Sequence, residues 1–293
     1  MRTNTVKSIS SPNRLLSLPL IACAAIWTLA PLDAAQATPT APQAADDDGE
    51  IIVYRRGEAV PQQQLVDLGA PGELGGEVLE GDPTISARVD FADGVFTAGV
   101  FQATRGKVLI HFPFTEHATI LSGSVELTDA TGVNVTLRPG DSYLITQGSD
   151  IVWDVRGALV QKSFANRVEA QDRPGPMRVY RAHGGVADDE LIELGPPEAL
   201  GGVTLDGDPQ VSARFDLPDV SAGLMEITEG VLRIDFAFAA HATVASGRLR
   251  LTDGAGCATT LRAGDAYFVQ PGAVVTYDLG HRPLLQSFFH TVL

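Results

Sequence analysis

Two stretches of this chain repeat one another, and the duplication restricts its fold more than any other feature of the 293 residues. LGGEVLEGDPTISARVDF at 74–91 returns as LGGVTLDGDPQVSARFDL at 200–217, and HATILSGSVELTD at 117–129 returns as HATVASGRLRLTD at 241–253. From His111 to Val168, about two positions in five are identical to the second copy without a gap, beyond what shared composition gives. The copies read as domains over 51–169 and 178–293, joined by a Pro- and Gly-containing linker over 170–177.

Within each copy the hydrophobic period is two. VLIHF, ATIL, SVELT, VNVTL, SYLIT, DIVWDV and VQKSF follow at short spacing, broken by SG, DATG, RPGD and QGSD. No segment keeps an amphipathic helical pattern through three turns. Aromatic residues make up only 6%, whereas 30 Gly and 18 Pro suit many short strands joined by tight turns. An all-β chain is expected, each copy a double-sheet jelly roll, with TDATG and TDGAG as hairpin turns.

Residues 1–37 stand apart from this pattern. Arg2, Lys7 and Arg14 precede or open the apolar run LLSLPLIACAAIWTLAPL, which ends near AQA at 35–37. A signal peptide cleaved after Ala37 is expected, and with it a periplasmic or secreted location. LIAC at 20–23 offers an alternative, a lipoprotein acylated at Cys23, although the residues after Cys23 stay apolar. Pro19 and Pro31 argue against an uncleaved membrane anchor. TPTAPQAADDDGE at 38–50 reads as a flexible acidic leader.

Removal of 1–37 takes away three basic residues and one acidic residue, moving the formal net charge from −15 to −17. Such a polyanion would gather counterions on meeting nucleic acid or an anionic membrane, so both are excluded as partners and a small-molecule ligand is expected. Cys257 is then the sole cysteine, without a disulfide partner, and is expected as a small buried residue. An open strand edge would need cover, which makes a homodimer one option.

The run EHATILSGSVELTDATGVNVTLRPGDSYLITQG, followed by VW and VQKSF, resembles the cupins typified by (S)-ureidoglycine aminohydrolase. Glu116, Gly123, PGD at 139–141, Gly148, Trp153 and Lys162 carry the likeness, which spans nearly all of both copies. It implies a bicupin, two tandem double-stranded β-helix (jelly-roll) barrels. It also implies an alternative function, a hydrolase or lyase dependent on divalent Mn, Fe, Ni or Zn. For that chemistry Glu116, seven residues before Gly123, and His111 are the candidate metal pair. The other ligand positions hold Ile110, Phe112 and Ile151, and in the second copy Ile234, Phe236 and Val275, which cannot donate to a metal. A catalytic metal takes about three protein ligands, so no cofactor is expected and the second copy is expected to carry a degenerate site.

Glu116 is the one acidic residue on an otherwise apolar strand, and the second copy replaces it with Ala240 just as it replaces Lys162 with Gln286. Joint loss is what a buried ion pair predicts, because deleting one partner strands the other. Glu116 and Lys162 are therefore expected to face each other inside the first barrel, either as ligand-binding groups or as a catalytic acid–base pair, with Trp153 beside them. A purely structural tie is the plainer alternative.

Other repeated residues have quieter expectations. Arg88 should pair with Asp82 or Asp90, and Arg214 with Asp208 or Asp216. His117 and His241 should make structural hydrogen bonds, Asp141 and Asp265 should bond nearby backbone in turns, and Tyr143 and Tyr267 should fill core space. No phosphate loop, CxxC pair or GxSxG elbow is present, which removes nucleotide enzymes, zinc ribbons and serine esterases. The sequence thus points to an exported protein that holds a small polar metabolite in its first barrel without a metal.

Overall fold

The computed structural model describes residues 51–219 and 221–291. The expected signal segment, with its alternatives at Ala37 and Cys23, and the expected leader over 38–50 lie outside the described residues. Among those residues the chain is built from β-strands and a few short 3-10 turns.

Two long strands organise the first repeat. Phe96–His111 and Asp150–Arg167 pair antiparallel from Asp150↔His111 to Arg167↔Phe96, with one irregularity between Val155 and Leu159. Because both run unbroken through the two layers of the jelly roll, the layers join into one ten-stranded sheet. In the second repeat the same path is interrupted: Ala222–Ile227 is followed by Gly230–Asp235, and Val274–Gly280 by Leu284–His290. Pro283 occupies the second break, where the first copy has Leu159, and a proline has no N–H to give to a ladder. The layers there form separate sheets of seven and five strands.

The opening strand of each repeat pairs with the other repeat. Ile51–Tyr54 lies antiparallel to Ala266–Val269, and Arg178–Tyr180 lies antiparallel to Ser142–Ile145. The turn aspartates fasten these exchanged arms. Asp141 accepts from the Arg138 backbone N–H (3.0 Å), as expected of a turn residue, and also from Arg181 Nη1 (2.7 Å) of the incoming arm. Asp265 does the same with Arg262 N (3.0 Å) and with Arg55 Nη1 (3.1 Å). Tyr54 and Tyr180 donate to Asp90 and Asp216, each at 2.9 Å. Those carboxylates, rather than Asp82 and Asp208, also receive Arg88 (2.7 Å) and Arg214 (3.2 Å).

Three cores result. One fills each barrel, and a third lies between them, where Phe96, Val100 and Leu144 of the first repeat bury with Leu224, Phe268 and Phe289 of the second. Each large side chain buried there contributes roughly 1.5–3 kcal/mol, so the shared face is part of the fold.

The hairpin turns form where expected, joining Val125–Asp129 to Asn134–Leu137 and Arg248–Thr252 to Ala258–Arg262. Asp129 Oδ1 accepts from the backbone of Thr131 (2.9 Å) and Val133 (3.0 Å). Cys257 sits in the second of these loops and is exposed, contrary to its expected burial, because 254–258 project as a wholly exposed turn. Gly123 turns the chain between Thr115–Ser122 and Val125–Asp129 with φ 73; a Cβ there would lie 2.2 Å from the Leu159 carbonyl oxygen.

Candidate functional site

Strand alternation sets the site. On Thr115–Ser122, Ala118 and Ile120 belong to the interior of the first barrel and Glu116 shares their face, while Leu121 belongs to the core between barrels and His117 and Thr119 share its face. Glu116 stands opposite Ile145 and Asn166 on its two neighbours, and Lys162 stands opposite Phe101 and Ile120. The structure brings the expected pair together: Lys162 Nζ lies 2.5 Å from Glu116 Oε1, with both side chains buried.

Two further residues complete the polar centre. Tyr143 OH donates to Glu116 Oε1 at 2.6 Å and accepts from Lys162 Nζ at 2.8 Å. The Asn166 side-chain amide reaches Glu116 Oε2 at 2.9 Å, and because a carboxylate only accepts, the amide orientation that satisfies both groups puts the nitrogen there as donor. Around the ammonium stand the rings of Trp153 at 4.9 Å, Phe101 at 5.0 Å and Tyr143 at 5.4 Å. Sequence reasoning assigned Tyr143 to core filling and overlooked Asn166 and Phe101. The one signal for Tyr143 was a tyrosine at the same inward position of both copies, whose hydroxyl needs a partner once buried.

Burial pulls the Lys162 ammonium below its ordinary range, and the Glu116 carboxylate opposes that shift. Burial first, and then Glu116, push the Tyr143 phenol well above its ordinary value. Tyr143 is therefore a protonated donor throughout the physiological range.

This centre borders a cavity of about 160 Å³. Glu116, Lys162, Trp153 and Asn166 line it together with apolar side chains that include Phe101, Ile110, Phe112 and Phe114. Its walls are more apolar than a small polar ligand would require. Trp153 Nε1 is buried with no hydrogen-bond partner, and two of the three Lys162 N–H donors are engaged among the described residues.

Two segments of the chain, residues 91–164 and 217–280, match the EutQ-like cupin domain. The fold is that of a tandem cupin. Among solved structures it resembles a protein of unknown function from Pseudomonas syringae pv. tomato, with 20% identity and a TM-score of 0.63, covering 82% of this chain and 99% of that one. A cupin 2 conserved barrel domain protein from Leptotrichia buccalis overlays at 10% identity and TM-score 0.45, covering 71% and 89%. Oxalate decarboxylase from Bacillus subtilis overlays at 12% identity and TM-score 0.35, covering 82% and 80%. Neither of the last two overlays closely enough to bear on this chain. No curated protein matches the sequence.

The first cupin barrel does not bring the candidate metal pair together. Ile110 and Phe112 line the cavity, so His111 between them points away from it. Its side chain is 61% exposed, with Nδ1 2.8 Å from Asp150 Oδ1. Phe112 and Ile151 are buried in the barrel core and offer no donor atom. Among the described residues, no group of three or more His, Cys, Asp or Glu is placed to hold a metal. The side chains present do not fit a cupin metal centre.

In the second cupin barrel the centre is neutral. Tyr267 OH donates to Gln286 Oε1 at 2.7 Å and lies 3.1 Å from Tyr277 OH, while Ala240 packs against the apolar interior. Met225 stands opposite Gln286, as Phe101 stands opposite Lys162.

His117 and His241 meet each other between the barrels, Nδ1 to Nδ1 at 2.8 Å. Their Nε2 atoms reach Ser287 (3.0 Å) and Ser163 (3.2 Å), and the Thr119 and Thr243 hydroxyls are also bonded. The contact requires one Nδ1–H and one bare Nδ1, so at least the accepting ring is neutral, and burial disfavours charge on the other. Burial lowers His241 to about 3 and takes His117, which also feels His241, well below its ordinary value. Their role is structural, as the sequence indicated, but it joins the two repeats.

Proposed function

We propose that the first cupin barrel binds, without a metal, a small molecule with an apolar body and a neutral hydrogen-bond acceptor, in a protein exported after loss of residues 1–37. The observation that carries this reading is an apolar cavity lined by two residues with donor capacity to spare: Trp153, whose buried Nε1 has no partner among the described residues, and Lys162, which engages two of its three N–H donors. Apolar walls supply affinity at roughly 25 cal/mol per Å² removed from water, and a few polar groups set orientation.

Charge selects the head group. Glu116 already neutralises Lys162, so a carboxylate ligand would set two anions against one buried ammonium. An alcohol, amide, ester, ketone or aldehyde avoids that cost. The aminohydrolase reaction of the cupins that the sequence resembles is not carried over, because Ile110 and Phe112 stand where its upstream metal ligands would fall and Ile151 stands where metal-holding cupins place their second-motif histidine. The second barrel serves as the structural partner whose face completes the shared core.

Saturation-transfer NMR with benzyl alcohol tests the reading, using wild type and Ala103→Phe, a substitution that fills the cavity from its wall. Transfer in wild type that vanishes in the variant is expected. Absence of transfer in wild type, or transfer unchanged by the variant, would overturn it.

A further inference from the structure

We propose that Lys162 captures carbonyl compounds: an aldehyde or ketone lodged in the first barrel condenses with Nζ to give a protonated Schiff base. The inference rests on the small-molecule reading above and deepens it by naming the reactive class. The chain has three lysines, Lys7, Lys107 and Lys162. Of the two described, Lys162 is buried and borders the cavity, whereas Lys107 is partly exposed.

The groups around Nζ match the proton traffic of the reaction. Glu116 Oε1 lies at 2.5 Å and the Tyr143 hydroxyl at 2.8 Å, and these two oxygens are themselves 2.6 Å apart. The ammonium first gives a proton to Glu116, and the freed amine lone pair attacks the carbonyl carbon while the C=O π pair moves to oxygen. Glu116 returns the proton to that oxygen, forming a protonated carbinolamine. A second proton passes from nitrogen to Glu116 and on to the hydroxyl, which departs as water as the nitrogen lone pair forms C=N. Carbonyl and ammonium have become iminium and water, with Glu116 again a carboxylate and the charge unchanged.

Charge conservation makes the product suit the site. The iminium is a cation in the place of a cation, paired with the same carboxylate and enclosed by the same Trp153, Phe101 and Tyr143 rings. Desolvation already pulls Lys162 toward the neutral amine that must attack. Trp153 Nε1 supplies a donor of the kind a carbonyl oxygen accepts. The second barrel is an internal contrast, since the Gln286 amide at the matching position is not a nucleophile.

The experiment treats the full chain with benzaldehyde and sodium cyanoborohydride at neutral pH and maps the benzyl adducts by peptide mass spectrometry. Lys162 is expected to label on the order of tenfold faster than Lys107. Glu116→Gln should slow the labelling at Lys162, Lys162→Met should remove that adduct, and Lys107→Arg should leave it unchanged. Equal labelling of the two lysines, labelling of Lys107 alone, or none at all would overturn the proposal. Benzyl alcohol binding separates the two readings: if the alcohol binds and the aldehyde is not trapped, only carbonyl capture falls, whereas failure of both removes the binding site as well.

Discussion

Lys162 and Glu116 meet at 2.5 Å inside the first barrel, while Gln286 and Ala240 hold the same two positions in the second, where no ion pair can form. A buried pair of this kind adds little net stability over apolar residues, but leaving one partner alone is costly. Glu116→Gln and Lys162→Met should each destabilise by about 3–5 kcal/mol, and the double variant by clearly less than the sum. Urea unfolding of the four proteins measures the coupling, and additive effects would contradict a paired centre.

The neutral histidines between the barrels predict a pH dependence with a definite sign. Both are depressed in the folded protein, His241 to about 3, so below the ordinary value of 6.5 the unfolded chain binds protons that the folded chain refuses. Their contribution is complete well above pH 6.5 and declines as pH falls through that value, the slope approaching about 1.4 kcal/mol per pH unit for each histidine near pH 5. Stability measured between pH 6.5 and 5 should show this slope in wild type and a flatter one in the His117→Asn/His241→Asn double variant.

The exchanged arms predict that the repeats stay together after the chain is cut. Ile51–Tyr54 and Arg178–Tyr180 each complete the opposite sheet, and the third core spans both repeats. With a protease site inserted after Gly175 and cleaved, the two fragments should co-elute in gel filtration under native conditions. Separation of the fragments would contradict the strand exchange.

Trp153→Phe removes the unpartnered indole N–H and keeps an aromatic ring beside Lys162. Loss of one hydrogen bond of about 1 kcal/mol predicts benzyl alcohol binding weakened about fivefold, with little change in stability because no protein partner is stranded. Titration calorimetry of the two proteins checks this.

Much of the architecture was legible in the residues. The repeats, the jelly-roll class and the Glu116–Lys162 pair follow from self-similarity, a period of two and the joint loss of two charges. The arm exchange was not legible, because IIVY reads as a strand whichever sheet edge it joins. The His117–His241 contact depends on how two barrels are placed, which periodicity within one barrel does not encode. Tyr143 was legible as inward-facing but not as the group that reaches Glu116, since that depends on a cross-barrel distance. His111 entered as a match to one histidine of the cupin metal motif, whereas the alternation that sends Ile110 and Phe112 into the cavity turns its side chain outward.

The most direct test of a metal-independent centre is elemental mass spectrometry of the protein, expressed from its full sequence and purified without an affinity tag, beside its Glu116→Ala variant. The account predicts no stoichiometric manganese, iron, nickel or zinc in either protein. One equivalent of metal in wild type that disappears in the variant would contradict it and make the first barrel a metal site.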